Sequence, residues 1–248
     1  MQSRLVAISR NQCSYSGPQT GLSLAACPMS RKKTVRSMLP LSRDRVLQAA
    51  LQLADQEGLD ALSMRNLAQK LGVQAMSLYN HVANKDDLID GMVDLVVGEI
   101  VLPQITADWQ SEMRKRAISA HQVLLNHPWA TLPLVSRINV GPSMLRYIDA
   151  TLGCLREAGF SWEMADHAWN AIDSHVYGFT LQELNFPIAA EDYATMAQAF
   201  LPMIPADQYP YMYAITQEVI TKRYDGLHTF ELGLDLLLAG LDQLRDRT

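Results

Sequence analysis

Two short apolar stripes separated by a single glycine turn constrain this sequence more than any other feature. Met64, Leu67, Ala68 and Leu71 recur at spacings of three and four over barely two turns, directly after Ser63, a good N-cap. Gly72-Val73 then breaks the pattern, and it resumes through Gln74-Ala75-Met76-Ser77-Leu78-Tyr79-Asn80-His81, with Leu78 and Val82 as its apolar anchors. Upstream, Val46, Ala50, Leu53 and Ala54 line one stripe with Leu47 and Leu51 beside it; Ser42 can cap that helix and Gly58 can end it. Two short helices about a tight Gly-containing turn form the helix-turn-helix pattern, whose second helix can lie in a DNA major groove.

The third helix divides its labour. Leu78 and Val82 face the core, and the side chains between them face outward. Small residues such as Ala75 and Ser77 let the backbone approach base edges, and Ala75 and Met76 can touch a thymine methyl. Asn80 can pair with adenine, while Ser77, Tyr79 and His81 can donate to phosphates. Arg65 has the reach for guanine or phosphate. Ser63, Gln74 and Lys85 complete the candidate DNA contacts. Asn84 can cap a fourth helix with Asp86 and Asp87 in its first turn, where the dipole favours them, and Leu88, Met92, Leu95, Val96 and Ile100 make it a long apolar stripe.

Charge supports this placement. The net charge of −5 conceals a polarised chain: residues 31–80 carry eight basic and four acidic side chains, whereas residues 101–248 carry ten basic and seventeen acidic ones. A basic front before an acidic body points to nucleic-acid contact by the front. Residues 1–40, rich in Ser, Gln, Pro and Arg, lack any sustained period and read as a disordered basic extension. Its Arg31-Lys32-Lys33 run could touch phosphates, and Met29 or Met38 offers an alternative start.

Other classes fall away. Cys13, Cys27 and Cys154 are an odd number at spacings that match no zinc or redox motif, as expected of reduced cytoplasmic thiols. The uncharged stretch from Ala117 to Ser136 contains His121, Gln122, Asn126, His127, Pro128 and Pro133, so no membrane span is expected. Leu24-Ala25-Ala26-Cys27 mimics a lipoprotein box, but the polar stretch before it is no secretion h-region.

Beyond Pro103 the pattern is helical, punctuated by prolines. Helices are expected from about Asp108 to Asn126, from Pro142 to Ala158 and from Ser161 to about Leu184. In the C-terminal helix, Leu227, Phe230, Leu234, Leu237, Leu241 and Leu244 alternate spacings of three and four, with Leu238 widening the stripe. That stripe suits a dimer interface or burial within one subunit equally well. Two-fold symmetry, which a helix-turn-helix reader ordinarily needs to reach two half-sites, favours a homodimer.

The residues also resemble a family. Arg45 to Leu51, the Gly58 break, Met64 to Val73 and Ser77 to Leu88, with its Leu-Tyr-x-His-x-x-x-Lys core, look like the DNA-binding domain of TetR-family transcriptional regulators. Ala75-Met76 departs from the Gln-Pro of the tetracycline-repressor pattern, so operator sequence does not carry over. His127-Pro128-Trp129, Gly141-Pro142, Glu157 to Ser161, Tyr177-Gly178-Phe179 and Phe230 to Leu234 resemble the tetracycline-repressor-like C-terminal class. The resemblance implies double-stranded operator DNA as partner, phosphate roles for Ser77, Tyr79, His81 and Lys85, and base roles for Arg65, Ala75, Met76 and Asn80. It also implies a helical effector pocket and a four-helix dimer bundle built from the Ser161 and C-terminal helices.

The expected architecture is all-α: a disordered extension over 1–40, a three-helix helix-turn-helix domain over 41–88, and a larger helical effector-binding and dimerisation domain over 89–248. Apolar walls with a few polar groups make a ligand site, which shortlists His127, Trp129, Tyr147, Trp169, Asp173, His175, Tyr177 and Gln182 for an unknown small-molecule effector. The expected protein is a cytoplasmic repressor released by that effector, with a ligand-independent regulator or activator as the alternative. An enzyme using Asp173 and His175, or His121 and His127, would lack a nucleophile motif, a phosphate loop and a metal spacing such as H-E-x-x-H. No cofactor, metal or catalytic residue is therefore expected.

Overall fold

The computed structural model describes residues 40–245. The basic extension, its Arg31-Lys32-Lys33 run, Cys13 and Cys27 lie outside them.

Helix α1 (Arg43–Glu57) starts at Ser42, whose Oγ accepts from the Arg45 amide at 3.3 Å. Helix α2 (Met64–Leu71) starts at Ser63, whose Oγ accepts from the Asn66 amide at 3.1 Å. Gly72 ends α2 at φ +69°, a left-handed conformation that a Cβ would strain, and its amide donates to the Ala68 and Gln69 carbonyls. That reversal sets the angle of α3 (Ala75–Leu78). The third helix is shorter than the sequence pattern predicts: α-helical geometry stops at Leu78, and Tyr79 to His81 form a turn. Leu78 and Val82 remain buried, in the same apolar core as Val46, Ala50, Leu67 and Leu71. Burying each such side chain contributes roughly 2 kcal/mol, enough to hold a one-turn helix that would not form alone.

Asn84 caps α4 (Lys85–Val97), accepting from the Asp87 amide at 2.8 Å. Of the predicted stripe, Leu88, Met92, Val96 and Ile100 are buried and Leu95 is partly so. α4 packs on α1 at one end and, at the other, on α7 (Pro142–Glu157). The described chain from Leu41 onward packs as one compact unit.

In the body, α5 (Trp109–Asn126) is capped by Asp108 and runs against α8 (Trp162–Asn185), which is capped by Ser161. α6 (Thr131–Ser136), preceded by a 3-10 turn at Pro128–Ala130, and α7 flank them. Helix α11 (Phe230–Arg245) lies on α5 and α8. Between α8 and α11 the chain forms a hairpin of α9 (Tyr193–Phe200) and α10 (Pro210–Ile220), which pack chiefly on each other. The C-terminal helix begins at Phe230, so Leu227 precedes it. Phe230, Leu234, Leu238 and Leu241 are buried within the subunit, whereas Leu232, Leu236 and Leu244 are exposed. Among the described residues there is no strand, and no helix is long and apolar enough to cross a membrane.

Candidate nucleic-acid interface and its coupling to the body

The reader surface is built on α2, α3 and the turn after it. Arg65, Gln74, Met76, Tyr79, Asn80 and Lys85 are exposed, with Met76 at 73%; Ser63, Ala75, Ser77 and His81 are half-buried beside them. All ten predicted DNA contacts are thus at least partly accessible. Ser63 spends its hydroxyl on the α2 cap.

A residue the sequence reading passed over fixes this face. Arg43 donates from Nη1 and Nη2 to the two Asp87 carboxylate oxygens at 3.0 and 2.7 Å, and Nη1 also donates to the His81 carbonyl at 2.9 Å. The Asp87 carboxylate in turn accepts from the Ala83 amide at 2.7 Å. The recognition turn is thus pinned to the start of α1 and the start of α4. Hydrogen bonding from Arg43, opposed by partial burial and assisted by the Ala83 amide, holds the Asp87 carboxyl below its ordinary value.

α4 is clamped to the body at three places. Arg137 donates to Asp90 at 2.7 Å and Asp86 at 3.1 Å, and Asn139 donates to the Asp90 carbonyl at 3.0 Å. Asp94 Oδ1 accepts from the Ser143 and Met144 amides at 3.0 and 2.9 Å, so a carboxylate of α4 caps the N-terminus of α7. Gly141 permits this approach, since a Cβ there would overlap the Asp94 carboxylate.

The shortlisted effector residues do not form one pocket. Tyr147, Trp169, Asp173 and Tyr177 do converge, together with Arg116, which is fully buried. The Asp173 carboxylate accepts from Arg116 Nη2 at 2.7 Å, Trp169 Nε1 at 2.7 Å, Tyr177 at 3.0 Å and Tyr147 at 3.1 Å. Arg116 Nη1 also donates to the Tyr147 hydroxyl, and the guanidinium stacks over that ring. Burial, reinforced by the Asp173 charge, pushes both tyrosines well above their ordinary values, so they stay neutral donors. Arg116 Nε is buried with no acceptor among the described residues.

The other four lie elsewhere, and their expected grouping is corrected accordingly. His127 and Trp129 face the reader, where both bond Asp55 Oδ1 of α1 at 2.7 Å. They end α5 and open the following 3-10 turn, which α1 covers. His175 stacks on Phe230 and bonds its carbonyl at 2.9 Å, so it serves the α8–α11 contact. Gln182 is exposed on α8, one residue before Glu183, whose carboxylate reaches His121 at 3.2 Å. A cavity of about 510 Å³ lies instead within the α9–α10 hairpin, lined by Tyr193, Met196, Phe200, Met212, Ile215 and Val219 among others. Among the described residues, no three His, Cys, Asp or Glu side chains gather at metal-binding spacing.

Comparison with known proteins agrees with this geometry. Residues 46–92 match the family model described as bacterial regulatory proteins, tetR family, and residues 102–245 match the tetracyclin repressor-like C-terminal domain. The chain belongs to the TetR family. Among TetR-family relatives, the transcriptional repressor DrrR1 of Streptomyces coeruleorubidus is 30% identical over 82% of this chain and 78% of its own. An HTH-type transcriptional regulator of Saccharopolyspora erythraea is 35% identical over 59% of this chain, which spans 63% of that relative's length. The solved structure of the Streptomyces coelicolor TetR-family protein ActR in complex with actinorhodin superposes with a TM-score of 0.72 at 31% identity, covering 84% of this chain and 99% of ActR. The chain is therefore a TetR-family transcriptional regulator with a helix-turn-helix reader and a helical body of the tetracycline-repressor type.

Proposed function

We propose that this regulator is a repressor that binds a palindromic operator as a homodimer and leaves it when a small-molecule effector binds the body. The observation that carries the reading is the exposed face of α3 and its turn, held in place by Arg43 and Asp87. Tyr79, Asn80 and Lys85 stand there free to meet phosphates and base edges. The acidic body repels the same phosphates and helps confine contact to that face.

The dimer would form through α8 and α11. Leu232 and Leu236 are 63% and 68% exposed on the outward side of α11, and Ser174 and Gly178 offer a small, open surface on α8. Two copies joined there would present two readers to two half-sites. Relatives named as repressors, and ActR crystallised with actinorhodin, support a ligand-responsive body here. The proposed effector contacts are Tyr147, Trp169, Asp173 and Tyr177, with Arg116 Nε as a donor available to an oxygen of the ligand. Rearranging these residues shifts α7, and the Asp94, Arg137 and Asn139 contacts pass the shift to α4 and the reader.

One observation favours the ligand-independent alternative. Asp173 already has four donors, as a closed core would. The effector-responsive reading is tested by footprinting on the DNA upstream of the gene, with compounds handled by products of adjacent genes added in turn. The repressor reading expects two protected half-sites about ten base pairs apart, or a multiple of that, cleared by one of the compounds. Protection that no such compound clears favours the ligand-independent regulator.

A further inference from the structure

His127 stands where the reader meets the body, and both of its ring nitrogens meet carboxylates. Nδ1 lies 2.7 Å from Asp55 Oδ1, on the last turn of α1, and Nε2 lies 3.2 Å from Glu99 Oε2, in the turn after α4. Trp129 donates its indole N–H to the same Asp55 oxygen at 2.7 Å. The ring is buried and also stands edge-on to the Trp129 ring at 6.5 Å. A neutral imidazole has one N–H and one lone pair, so it can satisfy only one of these carboxylates while the other faces its lone pair. An imidazolium satisfies both at once.

We propose that His127 is a positioning residue for operator binding: in its charged form it latches α1 and α4 of the reader to the body, and loss of that proton frees the reader and weakens operator affinity. The three partners come from three elements: Asp55 from α1, Glu99 from the turn after α4, and Trp129 from the 3-10 turn that follows His127 itself. The two carboxylates are the charged groups against the ring among the described residues. A latched reader arrives at DNA already ordered, whereas a freed one must be ordered there, at the expense of affinity. The titration runs in the useful range. Burial opposes the charge, but the hydrogen bonds that His127 donates to Asp55 and Glu99 overcome it and raise His127 above its ordinary 6.5. The latch is therefore complete below about pH 6.5 and is lost as pH rises through the elevated value.

The inference rests on the operator-binding reading, so its test has one arm with DNA and one without. In the first, affinity of the full-length protein for a duplex of its upstream DNA is followed from pH 6 to pH 9. Wild type is expected to lose affinity several-fold across that range, and His127→Gln to bind weakly with a flat profile. Glu99→Gln, at a half-exposed position that tolerates the change, is expected to move the midpoint to lower pH. A pH profile that survives unchanged in His127→Gln would overturn the latch. In the second arm, NMR follows the His127 ring without DNA, and a midpoint above 6.5 that falls in Glu99→Gln is expected. A wild-type profile that is flat, or a midpoint that Glu99→Gln leaves unmoved, overturns the latch. Failure of wild type to bind the duplex at any pH counts against the operator reading instead, and a ring midpoint at or below 6.5 in the second arm then overturns the latch by itself.

Discussion

Arg43 and Asp87, forty-four positions apart, close the reader: the guanidinium of the first α1 residue grips both oxygens of a carboxylate in the first turn of α4. Between them lie α2, α3 and every predicted DNA contact. The pair is partly solvent-exposed, so its Coulombic share is modest. Removing the carboxylate also strands the Ala83 amide and frees the His81 carbonyl's partner. Asp87→Ala is expected to lower stability by about 1 to 2 kcal/mol in urea titrations. Because Asp87 is held below its ordinary 3.8, this contribution is present above that pH and is lost as pH falls beneath it through the depressed value. Wild type and Asp87→Ala should therefore converge in stability at strongly acid pH, and a gap unchanged there would speak against the pair.

Asp94 and Gly141 make one device, a carboxylate capping a neighbouring helix through a gap only glycine leaves. Asp94→Ala removes the cap, and Gly141→Ala pushes the carboxylate away from the Ser143 and Met144 amides. Each should destabilise by about 1 kcal/mol. The double variant should lose little more than either single one, because the same contact is broken twice. Additive losses in denaturation curves would show that the two residues act separately.

The Arg116–Asp173 pair is buried on both sides. Asp173→Ala should cost about 3 to 5 kcal/mol by leaving a guanidinium unpaired in the core. Arg116→Met combined with Asp173→Leu should recover most of that loss in thermal melts while abolishing any response to effector. Retention of the full loss in the double variant would mean that packing, rather than charge, dominates there.

If the dimer forms through α8 and α11 as proposed, the outward leucines of α11 are the lever on assembly. Leu232→Glu with Leu236→Glu should yield a folded monomer in sedimentation experiments and lower operator affinity roughly tenfold or more, since each subunit then holds a single half-site. A dimer of unchanged strength would move the interface elsewhere.

The helices were legible where caps and periods agree. Ser42, Ser63, Asn84, Asp108 and Ser161 all start helices as their side-chain chemistry suggests, and the stripe of α4 is buried as its spacing implies. The end of α3 was not, because Tyr79 to His81 remain helix-compatible residues and it is the Arg43 bond to the His81 carbonyl that ties down the turn. The polar core was half legible. Tyr147, Trp169, Asp173 and Tyr177 stood out as aromatic and acidic residues on apolar helices. Arg116, which donates to Asp173 and Tyr147, gave a signal that was missed: it occupies the buried stripe of α5 between Met113 and Ala120. His127 looked like a ligand residue because its partners, Asp55 and Glu99, sit 72 and 28 positions away, and no local pattern announces them.

The most direct test of the repressor reading is a fluorescence-anisotropy titration of the wild-type, Tyr79→Ala and Lys85→Ala proteins against a duplex of the upstream DNA at several salt concentrations. Both side chains are exposed on the reader face. Each substitution should weaken binding about tenfold, and Lys85→Ala should also reduce the salt slope by roughly one. Affinities and salt slopes equal to wild type in both variants would contradict DNA recognition through this face.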